Sequence, residues 1–252
     1  VPVQPEYQNI ALSYIWGTKR MLMTQRSNLT ELRKEHALST GPLADQVART
    51  IRDSIELVKL LGERYLWVDA LCIVQDDGAS KHHQITNMSS IYAAAKLTII
   101  SAQAADAWHG LRGLENISEP RSLHLRTVSA GGYRFVERLE YTTGLMPWCR
   151  RGWTFQEWLF SRRRLVFNHG PLVWQCQCAR WQETFNINPE ADARWSRMSR
   201  TKESALDPSP SIWDFMSMAS TFNTKALTMQ EDAPRAFAGI QAMLHRVHPG
   251  GL

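Results

Sequence analysis

The sequence predicts an α/β fold built on a short parallel sheet, and three observations lead there. Apolar, strand-like runs recur at 10–15, at 65–69 and at 97–101. Between the first two, Val47, Ile51, Ile55, Val58 and Leu61 repeat at spacings of three and four, which is one apolar face of a helix, and Gly62 follows as its C-terminal cap. Between the second and third, Ile85, Met88, Ile91, Tyr92 and Ala95 mark another helix. Strands separated by helices of this length make βαβ units, whose strands lie parallel. Ligands of such sheets bind beyond the carboxyl ends of the strands, and Trp16, Gly17, Asp69, Gln75, Asp76 and Asp77 fall there.

Residues 103–150 break the alternation. Glycines and Pro120 punctuate them, and Leu123, Leu125 and Thr127 alternate toward Gly131-Gly132, the signature of a β-hairpin within an insertion. A helix is expected from Arg151 through Leu159, with paired strands at 165–167 and 172–174 around Gly170-Pro171. The polar, Pro/Ser-containing stretch 183–210 reads as a long loop. Two helices close the chain, one through Ile212, Phe215, Met216 and Ala219, the other through Phe237, Ile240 and Leu244. The expected organisation is one domain over 1–252: a core of about 7–101 and 151–180, the insertion 103–150, and a helical part at 211–248. No internal repeat is present.

Composition narrows the function classes. Of 252 residues, 44% are hydrophobic and 21% charged, ordinary globular usage that excludes global disorder. The formal net charge of +5 favours an anionic ligand but is too small to imply nucleic acid. Arg150-Arg151 and Arg162-Arg163-Arg164 form the densest basic stretch, expected to be a solvated helix face. Cys72 sits in a strand-like run, and Cys176 and Cys178 form a CxC without a second Cys/His pair, so no metal site is expected. Four cysteines in a chain this long point to a reducing compartment and a cytoplasmic protein. No apolar run reaches about 18 residues, so no membrane association is expected.

Three segments carry more mixed aromatic and acidic character than packing needs. They are Leu12-Ser13-Tyr14-Ile15-Trp16-Gly17, then Leu66-Trp67-Val68-Asp69 running on to Gln75-Asp76-Asp77, then Arg151-Gly152-Trp153-Thr154-Phe155-Gln156-Glu157. In this order they resemble the LSYxWG, WIDxxCINQxD and RxWTxQE motifs of the fungal heterokaryon incompatibility (HET) domain. The resemblance covers about Tyr7 to the helix near Leu244. Val74 and Lys225 depart from it, where the family more often has Asn and Arg.

The resemblance implies a domain that triggers cell death when unlike fungal individuals fuse, a form of fungal innate immunity. It also implies a distant likeness to Toll/interleukin-1 receptor-type (TIR) domains, hence a flavodoxin/TIR-like parallel sheet and cleavage of NAD at the nicotinamide–ribose bond. On that likeness Glu157 is the catalytic carboxylate. Ser13, Tyr14, Trp16, Gly17, Asp69, Arg151 and Trp153 are substrate-binding candidates, with Trp16 or Trp153 stacking on a flat ring and Arg151 pairing with pyrophosphate. NAD, or a related nucleotide, would be a substrate; no cofactor is expected, and no GxGxxG follows the first strand. Self-association into a homo-oligomer would gate the activity.

Plainer readings stand beside these. Trp16, Trp67 and Trp153 are equally core residues, and for Trp67 the core is preferred. Asp69 would cap a turn, Asp76 and Asp77 would cap the following helix, and Glu157 would be a surface carboxylate balancing Arg162 or Arg163. His82 and His83 would be exposed. Ser13 has neither a GxSxG setting nor a base, which argues against a serine nucleophile. The competing function is a non-catalytic, oligomerising interaction module that recruits death-signalling partners, its motifs serving packing.

Overall fold

The computed structural model describes residues 8–121, 127–136, 146–177, 179–183 and 211–247. Its centre is a six-stranded sheet, ordered β2-β1-β3-β6-β7-β8. β1 (Ile10–Ser13) lies between β2 (Leu66–Trp67) and β3 (Leu97–Ser101), parallel to both, and β3 is parallel to β6 (Arg163–Phe167). β7 (Val173–Cys176) and β8 (Arg180–Gln182) then turn back antiparallel, finishing the edge. The first three predicted strands therefore lie side by side and parallel. The order reverses direction at β1, the switch point of flavodoxin-like sheets.

The two faces of β1 bury different layers because side chains alternate along a strand. Ile10 and Leu12 pack with Leu97, Ile99, Ile51, Leu57 and Val58, so α2 (Arg49–Leu60) covers one face. Gly62, at φ 71°, lets Glu63 N–H reach Val58 O at 3.0 Å and closes that helix as expected. Ala11 points the other way, into a cluster of Met88, Tyr92, Leu159, Phe160, Ile240 and Met243. These come from α5 (Met88–Ala94), α6 (Gly152–Phe160) and α8 (Ala233–Val247). Between α6 and α8 lies α7 (Ile212–Asn223), started by a capping box of Ser211 and Asp214.

Several sequence expectations need correction. Asp69 does not end a strand: β2 is two residues long, and Asp69 opens a one-turn helix, α3 (Asp69–Cys72), which also removes Cys72 from any strand. The single helix expected through Ile85–Ala95 is two, α4 (Gly78–Thr86) and α5, broken at Asn87, whose side chain donates to His83 O at 2.9 Å. Arg162–Arg164 is no helix face. Arg164 is buried within β6, its guanidinium 4.1 Å from the Trp158 ring centroid, while Arg162 and Arg163 are exposed. β8 was not anticipated. The hairpin is present as β4 (Thr127–Ala130) and β5 (Tyr133–Val136), with positive φ at both Gly131 and Gly132, as a two-residue turn of this hand requires. Leu123, Leu125, Cys178 and nearly all of the 183–210 loop lie outside the described residues.

Candidate functional site

β1 delivers the first group of site residues by alternation. Ser13, its last residue, faces the α6 side and donates a hydrogen bond from Oγ to the Glu157 carboxylate. The same Oγ accepts the indole N–H of Trp148 at 2.8 Å, so a relay runs from indole to hydroxyl to carboxylate. Trp148 is itself fixed edge-on against Trp158, with centroids 5.9 Å apart. Tyr92, from α5, donates its hydroxyl to Leu12 O at 3.0 Å and lies against Glu157 as well.

Glu157 occupies the second turn of α6 and is 7% exposed. It is therefore not the surface partner of Arg162 or Arg163. Its pKa is raised to about 7: burial is the largest cause, Asp69 adds to it, and the Ser13 and Tyr92 hydroxyls and the Arg151 charge oppose it. The neighbouring Gln156 fixes the helix in place. Its amide donates to Ala236 O at 2.8 Å and accepts Ser89 N–H at 3.1 Å, an orientation assigned from this hydrogen bonding.

Tyr14 and Trp16 bring in the second acid. Trp16 Nε1 donates to Asp69 Oδ2 at 2.8 Å, and Asp69 Oδ1 accepts the Ala70 N–H at 2.7 Å. Asp69 keeps some exposure as a residue, yet its carboxyl is enclosed by protein. Burial raises its pKa, while hydrogen bonds from Ala70, Trp16 and the Tyr14 hydroxyl, and then the Arg151 charge, counter the rise. The Tyr14 phenol sits beside it, its pKa pushed well up by burial first and by Asp69 second. Gly17 turns the chain away at φ 75°; a Cβ there would stand 2.3 Å from Cβ of Asp106.

The three motifs thus converge: Glu157 feels the charge of Asp69, and both acids feel Arg151, the N-cap residue of α6. Trp153 does not join them: half-buried on the first turn of α6, it makes no hydrogen bond or ring contact among the described residues. Trp67 packs edge-on against Tyr92 at 5.6 Å, as a core residue. The loop acids have structural work: Asp76 accepts Arg26 N–H at 2.9 Å, and Asp77 caps α4. His82 and His83 are exposed. Two members of the cluster escaped sequence reasoning. Trp148 sat in the glycine-punctuated insertion, and Tyr92 matched a helix face; the tryptophan excess was the one available signal for the former.

Among the described residues no group of three metal-ligating side chains forms, and no helix is long and apolar enough to cross a membrane. The arrangement is a buried acid of near-neutral pKa beside a second acid, framed by indoles and phenols, at the carboxyl ends of parallel strands. A carboxylate so placed can stabilise a cationic sugar-like centre.

Comparison with known proteins agrees with the motif order. The family model described as "Heterokaryon incompatibility protein (HET)" matches residues 9–157, more than half of the chain. The heterokaryon incompatibility protein 6, OR allele, of Neurospora crassa is 30% identical over 101 residues, 39% of this chain. The matched stretch is only 15% of that relative's length. No solved structure gives a significant match.

Proposed function

The chain belongs to the heterokaryon incompatibility family, and from that premise we propose that it is a cytoplasmic effector domain of fungal incompatibility that hydrolyses NAD at the nicotinamide–ribose bond when self-associated. The observation that carries the reading is Glu157: a buried carboxyl with pKa about 7, held by Ser13 at the end of β1 and facing the Asp69–Trp16 pair. In the reaction the bond from the ribose C1′ to the nicotinamide nitrogen breaks, and its electron pair leaves with neutral nicotinamide. Ionised Glu157 stabilises the oxocarbenium centre left at C1′. Water adds to C1′ and releases a proton, giving ADP-ribose. Trp16, anchored through Asp69, offers a ring face to the cationic nicotinamide, and Arg151 offers charge to the pyrophosphate.

One observation favours a second reading. Glu157 is 7% exposed, and Ser13 and Tyr92 already occupy its carboxyl, as in a polar pin that locks α6 onto β1. On that reading the domain oligomerises and recruits death-signalling partners without chemistry. Incubating the purified domain with NAD, dilute and then concentrated enough to force assembly, separates the two. Free nicotinamide supports the hydrolase; its absence under both conditions supports the module.

A further inference from the structure

α7 has two unlike faces. Phe215, Met218 and Phe222 recur at spacings of three and four and turn inward. The rings of Phe215 and Phe222 lie 5.9 and 5.0 Å from Phe237 of α8, and Phe222 lies 6.0 Å from Phe155 of α6. The opposite face carries Trp213, Met216, Ser217 and Ser220, all exposed and spaced i, i+3, i+4, i+7 along one seam. Trp213 is 74% exposed and Met216 54%. So much apolar area left in water on a helix otherwise anchored by aromatic rings marks a docking face.

The order of sizes along the seam identifies the occupant. It runs large, large, small, small. A two-fold axis between Met216 and Ser217 sets Trp213 against Ser220 of a second copy and Met216 against its Ser217, and symmetry supplies the reverse pairs. Each large side chain enters the space left by a small one, which lets two helices approach to about 8–10 Å. A two-fold contact also brings a patch against itself, so any charge on it meets its like. Asp214 is the single charged residue of α7; it lies off the seam and is engaged in the capping box with Ser211. The pairing is antiparallel, which places the positive end of each helix dipole beside the negative end of the other.

We propose that this face of α7 is where a second copy of the chain docks, α7 against α7, antiparallel about a two-fold axis between Met216 and Ser217. The proposal rests on the self-association invoked above, for which it supplies the surface, and not on the chemistry. A 12-residue helix is about 18 Å long, so one helix pair covers well under the roughly 800 Å² that each partner gives to a stable interface. The dimer is therefore weak and forms as local concentration rises, as a gate requires. The inner face of α7 stacks on α6, the helix that bears Glu157, so docking braces the support of that carboxylate.

Sedimentation equilibrium of the whole chain is expected to show a monomer–dimer equilibrium. Trp213→Ser and Ser220→Trp should each weaken the dimer by about 10-fold or more, the first by emptying two contacts and the second by setting indole against indole. A mixture of the two variants should restore association, because each indole of one then meets a serine of the other at both ends of the seam. Both positions are exposed, so melting temperatures of the dilute variants should match the parent's, which separates lost docking from lost folding. A chain that stays monomeric at every concentration, variants that dimerise like the parent, or a mixture that fails to recover overturns the α7 pairing. Nicotinamide release by a chain that stays monomeric would leave the hydrolase standing and remove the surface. Dimers restored by mixing, without nicotinamide release, would do the reverse.

Discussion

Glu157 is held between opposing influences, and its ionisation is the most testable property of the site. Burial and Asp69 raise its pKa from 4.5 to about 7, and Ser13, Tyr92 and Arg151 restrain the rise. Catalysis by the ionised form requires activity to climb with pH through about 7, read from a pH–rate profile. Removing the Ser13 hydroxyl takes away a restraint, so Ser13→Ala should move that limb to higher pH; a limb that stays or falls would contradict the relay. Stability carries the opposite sign. The folded state holds the proton more tightly than the unfolded chain, so this group's contribution falls as pH rises from about 4.5 to about 7 and is flat above. The full swing is on the order of 3 kcal/mol. Glu157→Gln should therefore gain stability relative to wild type at pH 8 compared with pH 5, measured by denaturant unfolding at both. At this scale the sequence was most informative where a motif names the residue: Ser13, Trp16, Asp69 and Glu157 do meet. Trp148 and Tyr92 complete the cluster through contacts across 135 and 80 residues of chain, which local patterning does not encode.

Elements explain why those residues meet. β1 ends in Ser13, so alternation sends Ser13 toward α6 and leaves Tyr14 and Trp16 beside Asp69. Gly17 ends the run because its φ of 75° and the Asp106 side chain at its back exclude a side chain. Gly17→Ala adds left-handed strain and a backbone contact at 3.0 Å. We expect a loss of about 1–3 kcal/mol, seen as a melting point lower by roughly 2–4 °C per kcal/mol. A melting point unchanged from wild type would contradict the close approach. Long periodic elements such as α2 were legible in the sequence, as was the Gly-Gly hairpin. Short ones were not. β2 and α3 share one run, Leu66 to Cys72, and periodicity cannot divide seven residues between strand and helix turn. The break at Asn87 was hidden because the apolar spacing continues across it, while the Asn87 side chain bonds back to His83. β8, Arg-Trp-Gln, offers no alternation to read.

At the scale of the molecule, the family match ends at Glu157, yet the helix that carries Glu157 is supported from beyond it. Leu159 and Phe160 pack with Ile240 and Met243 of α8, and Phe155 joins a ring cluster with Phe222 and Phe237. Lys225 donates to Cys149 O at 2.8 Å, and Ala226 bonds to both Arg150 and Gly152, pinning the start of α6. Gly239 is required at the crossing, since a Cβ would come within 2.5 Å of Ser89 and 2.8 Å of Gln156. The C-terminal helices therefore position the site. Ile240→Ala, at a fully buried residue, should lower stability by roughly 2–5 kcal/mol in denaturant unfolding. The residual folded fraction should lose the pH 7 limb first, because α6 loosens; an unaltered profile would show that α8 is dispensable to the site.

The proposed N-ribosyl hydrolysis stands or falls with Glu157 as its catalytic carboxylate. The direct measurement is nicotinamide released from NAD by wild type and by Glu157→Gln at equal folded concentration above pH 7. Gln keeps the shape and can still accept from Ser13, but it carries no charge. The expected rate for Glu157→Gln is lower by about 10²-fold or more, the scale of a lost electrostatic catalyst, with a melting point no lower than wild type. Wild-type turnover matched by the Gln variant would contradict it.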